Sequence, residues 1–250
     1  MLTQNSVRII CIIPARKGSV GLYRKNLRHV GFFTLVARAI RVAKKISMPV
    51  YIILSTDDKE VIRRYGKKVD LCIDREAQLS TSDSKISDVI IDAIQKTKNF
   101  SDEDIVLLLE PSSPNREVTD LNEAVEIMIK NNFKSLITVS QLDSKYHPYK
   151  LLKQSEDFHL IPFIENSPSI HNRQEITQRL YVRNGVAYLY RLGTARTLEK
   201  SLPDESHFVL TKHSVSNIDD KLDLIIARYF NVKNIFINFF QKFKRFGSGN

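Results

Sequence analysis

Residues 14–26 read PARKGSVGLYRKN: two glycines, one serine and four cations placed directly after an apolar run. A strand that enters this stretch and turns at Gly18 and Gly21 exposes backbone N–H groups, and Arg16, Lys17 and Lys25 are predicted to reach inward. Amide donors beside cations make a phosphate site. The stretch is not a Walker loop, because no Gly-Lys-Ser/Thr follows, and its glycine spacing is not that of the dinucleotide fingerprint. GSVG (18–21) matches the GXXG loop of RNA-binding KH modules, but those loops join two helices and this one follows a predicted strand.

A second oxygen-rich group is SNIDDKLDL (216–224). In extended backbone Asn217 and Asp219 share one face. Beside a phosphate loop such a pair suits Mg²⁺, which takes few protein ligands and fills its shell with phosphate and water. Asp219 and Asp220 are also good helix N-caps, and on spacing alone capping is the stronger reading.

Charge supports a polyanionic ligand. Residues 1–56 hold no Asp or Glu but ten cations, which equal the whole net charge of +10. Nucleotide phosphates, nucleic acid and acidic lipid all fit such a field. The segment from Arg38 to Lys45 reads as a solvated basic surface. Cys11 and Cys72 lie in apolar runs, and two cysteines build neither a zinc cage nor a disulfide framework; buried free thiols are expected. No run reaches membrane-spanning length and the N-terminus lacks leader features, so a cytoplasmic protein is expected.

Around these groups, short β-rich runs (7–13, 50–54, 69–73, 105–109 and 135–140) alternate with helical periods. One helix is marked by Ile86, Val89, Ile90, Ala93 and Ile94, another by Leu121, Ala124, Val125 and Met128 after a Thr119 cap. This predicts an α/β fold with a mostly parallel sheet. Ligands of such sheets bind beyond the carboxyl ends of the strands. The glycine loop, STDD (55–58), EPSSPNR (110–116) and HPY (147–149) fall there. From about Tyr146 to Tyr190 the alternation breaks down, around Pro148, Pro162 and Pro168, and predicts an inserted subdomain or long arm, the kind of element that often packs on a partner subunit. Regularity returns at 185–191, at 207–211 and in a helix from near Asp219. The expected division is therefore 1–230 with 146–190 as the insertion, then a 231–250 extension. That end is aromatic and basic, read as a core-docked helix in preference to a membrane or partner surface.

IIPARKGSVGLYRKN, STDD, EPSSPNR, HPY, RQE, RNGVAYLY and NIDDKLDL, in that order over about residues 7–228, resemble the acylneuraminate cytidylyltransferases. That family comprises the CMP-sialic acid synthetases and their legionaminic, pseudaminic and Kdo-type relatives. The resemblance implies a Rossmann-like (GT-A-like) nucleotidyltransferase domain and a homodimer whose arm reaches the neighbouring site. It also implies Mg²⁺-dependent transfer of CMP from CTP to the anomeric hydroxyl of an acidic 2-keto sugar, releasing pyrophosphate, for lipopolysaccharide or capsule synthesis. By the same resemblance Arg16, Lys17, Gly18, Ser19, Gly21, Lys25 and Asn26 hold CTP, and Ser82 and Asp83 lie near cytosine and ribose. Glu110, Ser113, Arg116, His147, Arg173 and Asn184 border the sugar, Asp219 and Asn217 hold the metal, and Arg16, Lys25 and Asp219 serve catalysis.

The chain departs from the family pattern at Val20 (Lys in relatives), Glu110 (Gln) and Asn217 (Asp), and HVGFFTLVARAI (29–40) lacks their Gly-Lys-Pro-Leu run. Each of the three substitutions weakens the field that binds two anions. A catalytically reduced homologue with a binding or regulatory role is therefore the alternative. A nucleic-acid-binding protein is a remote one, and neither nucleic acid nor stable membrane insertion is expected.

Overall fold

The computed structural model describes residues 7–19, 21–166, 168, 178–213 and 215–232. A seven-stranded sheet runs through it: β1 (Ile9–Pro14), β2 (Val50–Thr56), β3 (Leu71–Asp74), β4 (Ile105–Leu108), β5 (Ser135–Gln141), β6 (Tyr181–Arg191) and β7 (His207–Leu210), in spatial order β7-β5-β6-β4-β1-β2-β3. β1 pairs in parallel with β2 (Ile9 opposite Val50) and with β4 (Ile9 opposite Ile105), and β2 pairs in parallel with β3. β6 runs antiparallel to β4, with Tyr188 opposite Leu108. The expected mostly parallel sheet is present.

The unbroken apolar run of β1 follows from burial on both faces. Ile9, Cys11 and Ile13 point into one core with Ile105, Leu107 and Leu109, whereas Ile10 and Ile12 point into the other with Val106 and Leu108. Helices α1 (Leu35–Ala43) and α4 (Val118–Lys130) supply Val36, Ala39, Leu121 and Val125 to the first core. α3 (Ile86–Gln95) and the short α5 (Leu192–Ala195) supply Ile90, Ala93 and Leu192 to the second. α2 (Lys59–Tyr65) joins β2 to β3, and a last helix, α6, occupies 221–232. A small third cluster of Leu22, Val30, Leu35, Ile218, Leu224 and Ala227 holds the chain after the glycine loop against α6.

Several expectations are corrected. Thr119 lies inside α4, and Glu117, in extended backbone, starts that helix without a side-chain cap bond. Arg38 is not a solvated surface cation: its Nε donates to the Pro114 carbonyl (2.8 Å) and its Nη1 to that of Val30 (3.0 Å). Cys11 is a buried thiol, pushed up to about 12 by desolvation, but Cys72 is only half-buried.

The chain divides into two compact units, Val139–Arg183 and the residues on either side of that span. The boundaries fall inside β5 and β6. Within Val139–Arg183, two single-turn helices (Ser144–Tyr146 and Pro148–Lys150) precede a hairpin that pairs Leu152 with Pro162. Arg173 and Val20 lie outside the described residues, as does the 233–250 tail.

Candidate functional site

Loops at the carboxyl ends of β1, β3 and β4 enclose a cavity of about 450 Å³. The first loop contributes Pro14, Arg16, Ser19, Gly21, Lys25 and Asn26. The segment after β3 contributes Arg75, Leu79, Thr81, Ser82 and Ser84. Glu110, Pro111 and Ser112 come from the loop after β4, and Asp219 closes the wall.

STDD works as scaffold for the first loop. Thr56 Oγ1 donates to the Ala15 carbonyl (2.5 Å), and the Lys17 backbone N–H donates to Asp57 Oδ1 (2.7 Å). Asp58 caps α2 by accepting from Glu60 N (2.9 Å) and stands 3.8 Å from the Arg24 guanidinium. The buried Asn26 amide donates to the Arg16 carbonyl (2.8 Å), which ties the loop's entry to its exit. Arg16 Nη1 reaches the Thr81 carbonyl (2.9 Å) across the cavity wall. Lys25 Nζ donates to the Ile218 carbonyl (2.9 Å) and pairs with Asp219 Oδ1 (3.2 Å).

The two glycines differ. A Cβ on Gly21 would stand 2.3 Å from the Asp219 carbonyl oxygen, whereas one on Gly18 would meet nothing within 4 Å. Gly21 is there for close approach and Gly18 is not. We expect Gly21→Ala to destabilise the fold by about 1–3 kcal/mol, and Gly18→Ala to stay within about 0.5 kcal/mol of the parent. Urea unfolding of the two variants checks this.

At 219–220 the two aspartates differ. Asp220 is the cap: its Oδ1 accepts from Asp223 N (2.9 Å), while Asp223 Oδ2 accepts from the backbone N–H groups of Asp220 (3.1 Å) and Asp219 (2.9 Å). The Asp219 carboxylate is left facing the cavity, 75% exposed, with Lys25 as its ion-pair partner.

EPSSPNR is a brace. The Ser112 carbonyl accepts from Ile218 N (2.8 Å), and Asn115 bonds both the Ala227 carbonyl (3.2 Å) and Ser216 Oγ (2.5 Å). Buried Arg116 donates to the carbonyls of Glu110 (2.6 Å), Val186 (3.0 Å) and Gly185 (3.3 Å). Burial pushes its guanidinium down to about 10, which leaves it charged at neutral pH.

Of the sequence-predicted residues, Arg16, Ser19, Gly21, Lys25, Asn26, Ser82, Glu110 and Asp219 line the cavity; Lys17, Gly18, Asp83, Ser113, Arg116, Asn184 and Asn217 do not. Lys17, Gly18 and Asp83 are exposed to solvent. Ser113 and Arg116 are buried as supports. Asn184 spends its amide on Thr138 Oγ1 (2.8 Å), Val186 N (3.2 Å) and Thr211 Oγ1 (3.0 Å). His147 belongs to the Val139–Arg183 unit, where it is buried, and its Nδ1 accepts from Tyr149 N (3.3 Å).

Arg75 is the residue that sequence reasoning missed. It is buried at the cavity wall, donating to the Ser55 hydroxyl (3.0 Å) and carbonyl (2.6 Å), and burial lowers it to about 10 against the pull of Asp57 and Asp92. Its position just past the carboxyl end of β3 was the available signal. Arg16, Lys25 and Arg75 thus converge on one cavity with Glu110 and Asp219. Among the described residues no three His, Cys, Asp or Glu side chains cluster to hold a metal. The exposed carboxylate of Asp219 is an oxygen donor of the kind that suits a hard cation.

Solved nucleotidyltransferases share this α/β fold. The chain belongs to the cytidylyltransferase family, which it matches over residues 10–226. It is 27% identical over 227 residues to a pseudaminic acid cytidylyltransferase of Campylobacter jejuni subsp. jejuni serotype O:23/36, covering 88% of this chain and 94% of that protein. It is 36% identical over 143 residues to a CMP-N,N'-diacetyllegionaminic acid synthase of Legionella pneumophila, covering 56% of this chain and 60% of that one. A solved CMP:2-keto-3-deoxy-manno-octonic acid synthetase complexed with CTP shares the fold, with a TM-score of 0.63 at 16% identity over 91% of this chain and 99% of that one.

Proposed function

We propose that the chain transfers CMP from CTP to the anomeric hydroxyl of an acidic nine-carbon 2-keto sugar, releasing pyrophosphate, for surface-glycan synthesis. The observation that carries this reading is the convergence of Arg16, Lys25 and Arg75 with Asp219 on one cavity. The triphosphate lies along the first loop, where Arg16 and Lys25 neutralise it and the loop amides add donors. Asn26 holds the Arg16 backbone, and so the register of the loop. Catalysis here is positioning and charge neutralisation of an in-line displacement at the α-phosphorus. Asp219, with Asn217 nearby in sequence, would hold a Mg²⁺ whose remaining ligands are phosphate and water, supplying positive charge at the reacting phosphate.

Glu110 bears on the sugar. A carboxylate on the cavity wall disfavours a plain acidic sugar and favours one that offers N–H donors, as a diacetamido sugar does. Assembly as a homodimer through Val139–Arg183 belongs to the same proposal, supported by the exposed Leu152, Phe158, Leu160 and Phe163; sedimentation as a monomer would remove that part. The test is pyrophosphate release from CTP with Mg²⁺ across legionaminic, pseudaminic, N-acetylneuraminic and Kdo-type acids. The expected order places a diacetamido sugar first and Kdo last. CTP binding with no release for any sugar would favour a catalytically reduced homologue instead.

A further inference from the structure

We propose that a cleft beside the first loop is a second anion site, taking a small phosphate-type anion such as pyrophosphate. The cleft has a volume of about 270 Å³ and is lined by Tyr23, Arg24, Leu27, Arg28, His29 and Arg64. None of these lines the larger cavity, which takes Gly21, Lys25 and Asn26 from the same stretch. One turn of chain therefore supplies walls to both recesses. It is closed by Lys25 N donating to the Leu22 carbonyl (3.1 Å) and Arg28 N to that of Lys25 (2.9 Å).

The backbone is strained where the two recesses divide. Arg24 sits at φ +52°, ψ +40°, a left-handed conformation that residues other than glycine rarely adopt. Lys25 then serves the cavity, donating to the Ile218 carbonyl and pairing with Asp219, while Arg24 lines the cleft. The Arg24 guanidinium stands 3.8 Å from Asp58, and its Nε is shielded from water with no hydrogen-bond partner among the described residues. A shielded donor without an acceptor costs stability, as left-handed backbone does. An anion seated among the guanidiniums supplies the missing acceptor.

Charge and size select the ligand. Among the described residues no acid lines the cleft. Behind it Asp58 caps α2, and Glu60 is bonded by both Arg63 and Arg64. Against these two carboxylates Arg24, Arg28, Arg63 and Arg64 leave an excess of two positive charges. Arg28 and Arg64 each anchor their Nε, on the Tyr23 carbonyl (3.0 Å) and on Glu60 Oε1 (2.5 Å), which orients their planes and leaves η N–H groups for a ligand. Planar guanidinium forks match phosphate oxygens. The volume lies below the roughly 300–1,000 Å³ of pockets for drug-sized ligands, and so suits one or two phosphoryl groups better than a nucleotide. The site rests on these residues alone and is independent of the chemistry proposed for the cavity.

The experiment is equilibrium dialysis of the full chain against labelled pyrophosphate at low salt without Mg²⁺, with and without saturating CTP. The expected result is a site that CTP does not displace, weakened at least roughly tenfold in the double variant Arg28→Gln with Arg64→Gln. Both side chains are exposed, so the unfolding midpoint of that variant should match the parent. Arg24→Gly should lose the same binding while unfolding at or above the parent's midpoint, because glycine accepts left-handed backbone. Displacement of all bound pyrophosphate by CTP, or CTP-resistant binding that both variants retain, overturns the proposal. So does binding of a short RNA or of anionic vesicles through these arginines with none of pyrophosphate. If the larger cavity does not take CTP, CTP displaces no pyrophosphate at all, and the difference between parent and variants still reads the cleft.

Discussion

Asp219→Asn is expected to leave the fold intact and to lower CMP transfer by roughly a hundredfold or more. The structural duties of this residue are carried by its backbone: the N–H bonds Asp223, and the carbonyl is the wall that Gly21 packs against. Its side chain is exposed, and among the described residues its ion-pair partner is Lys25 at 3.2 Å. Asparagine keeps the shape and one oxygen but loses the charge, and with Asn217 already neutral and Asp220 and Asp223 engaged in the helix cap, no carboxylate of the segment would be left facing the cavity for a metal. The control is its neighbour. Asp220→Ala removes the α6 cap, so it should cost about 1 kcal/mol of stability with a much smaller effect on turnover. Turnover at saturating CTP, measured beside urea unfolding, separates the two. If both variants lost activity in proportion to stability, Asp219 would be a structural residue and its placement in the chemistry would be wrong.

Arg116→Met is expected to have the largest effect on stability, a loss of about 3–5 kcal/mol. Methionine fills much of the volume but leaves the carbonyls of Glu110, Gly185 and Val186 without their buried cationic donor. Those bonds tie the loop after β4 to β6, and the same loop holds Ile218 through the Ser112 carbonyl. Failure here therefore spreads to Asp219. Urea unfolding reads the loss directly. A residue that contacted the sugar instead would show normal unfolding with a raised KM for sugar alone, and that outcome would restore the role its family resemblance implied.

Legibility differed by the kind of physics each residue obeys. The β1 run and the 3.6-residue spacing of α3 and α4 report burial, which the sheet's two covered faces impose, and so the fold class could be read directly. The cavity's first loop was legible because cations and glycines in that density have few other uses. The bracing bonds of Arg116 and Asn184 were not legible, because a polar side chain looks the same in sequence whether it meets a ligand or satisfies polar groups of the core. At Lys17 the bond that anchors the loop is made by the backbone N–H, which carries no sequence signal. Arg75 was invisible for the opposite reason: one arginine in an ordinary loop carries no pattern, and only the end of β3 gives it a place. At 219–220 either aspartate suits a cap by type, and only the reciprocal bonds with Asp223 assign the roles.

The most direct measurement of the proposed reaction follows the α-phosphorus itself. CTP labelled at that phosphorus is incubated with the protein, Mg²⁺ and a diacetamido 2-keto acid, and the products are separated. The expected result is label in a new sugar-linked phosphodiester, formed in step with unlabelled pyrophosphate and abolished by Asp219→Asn. Label that stays in CTP, or that appears as free CMP at a rate indifferent to the sugar, would contradict it.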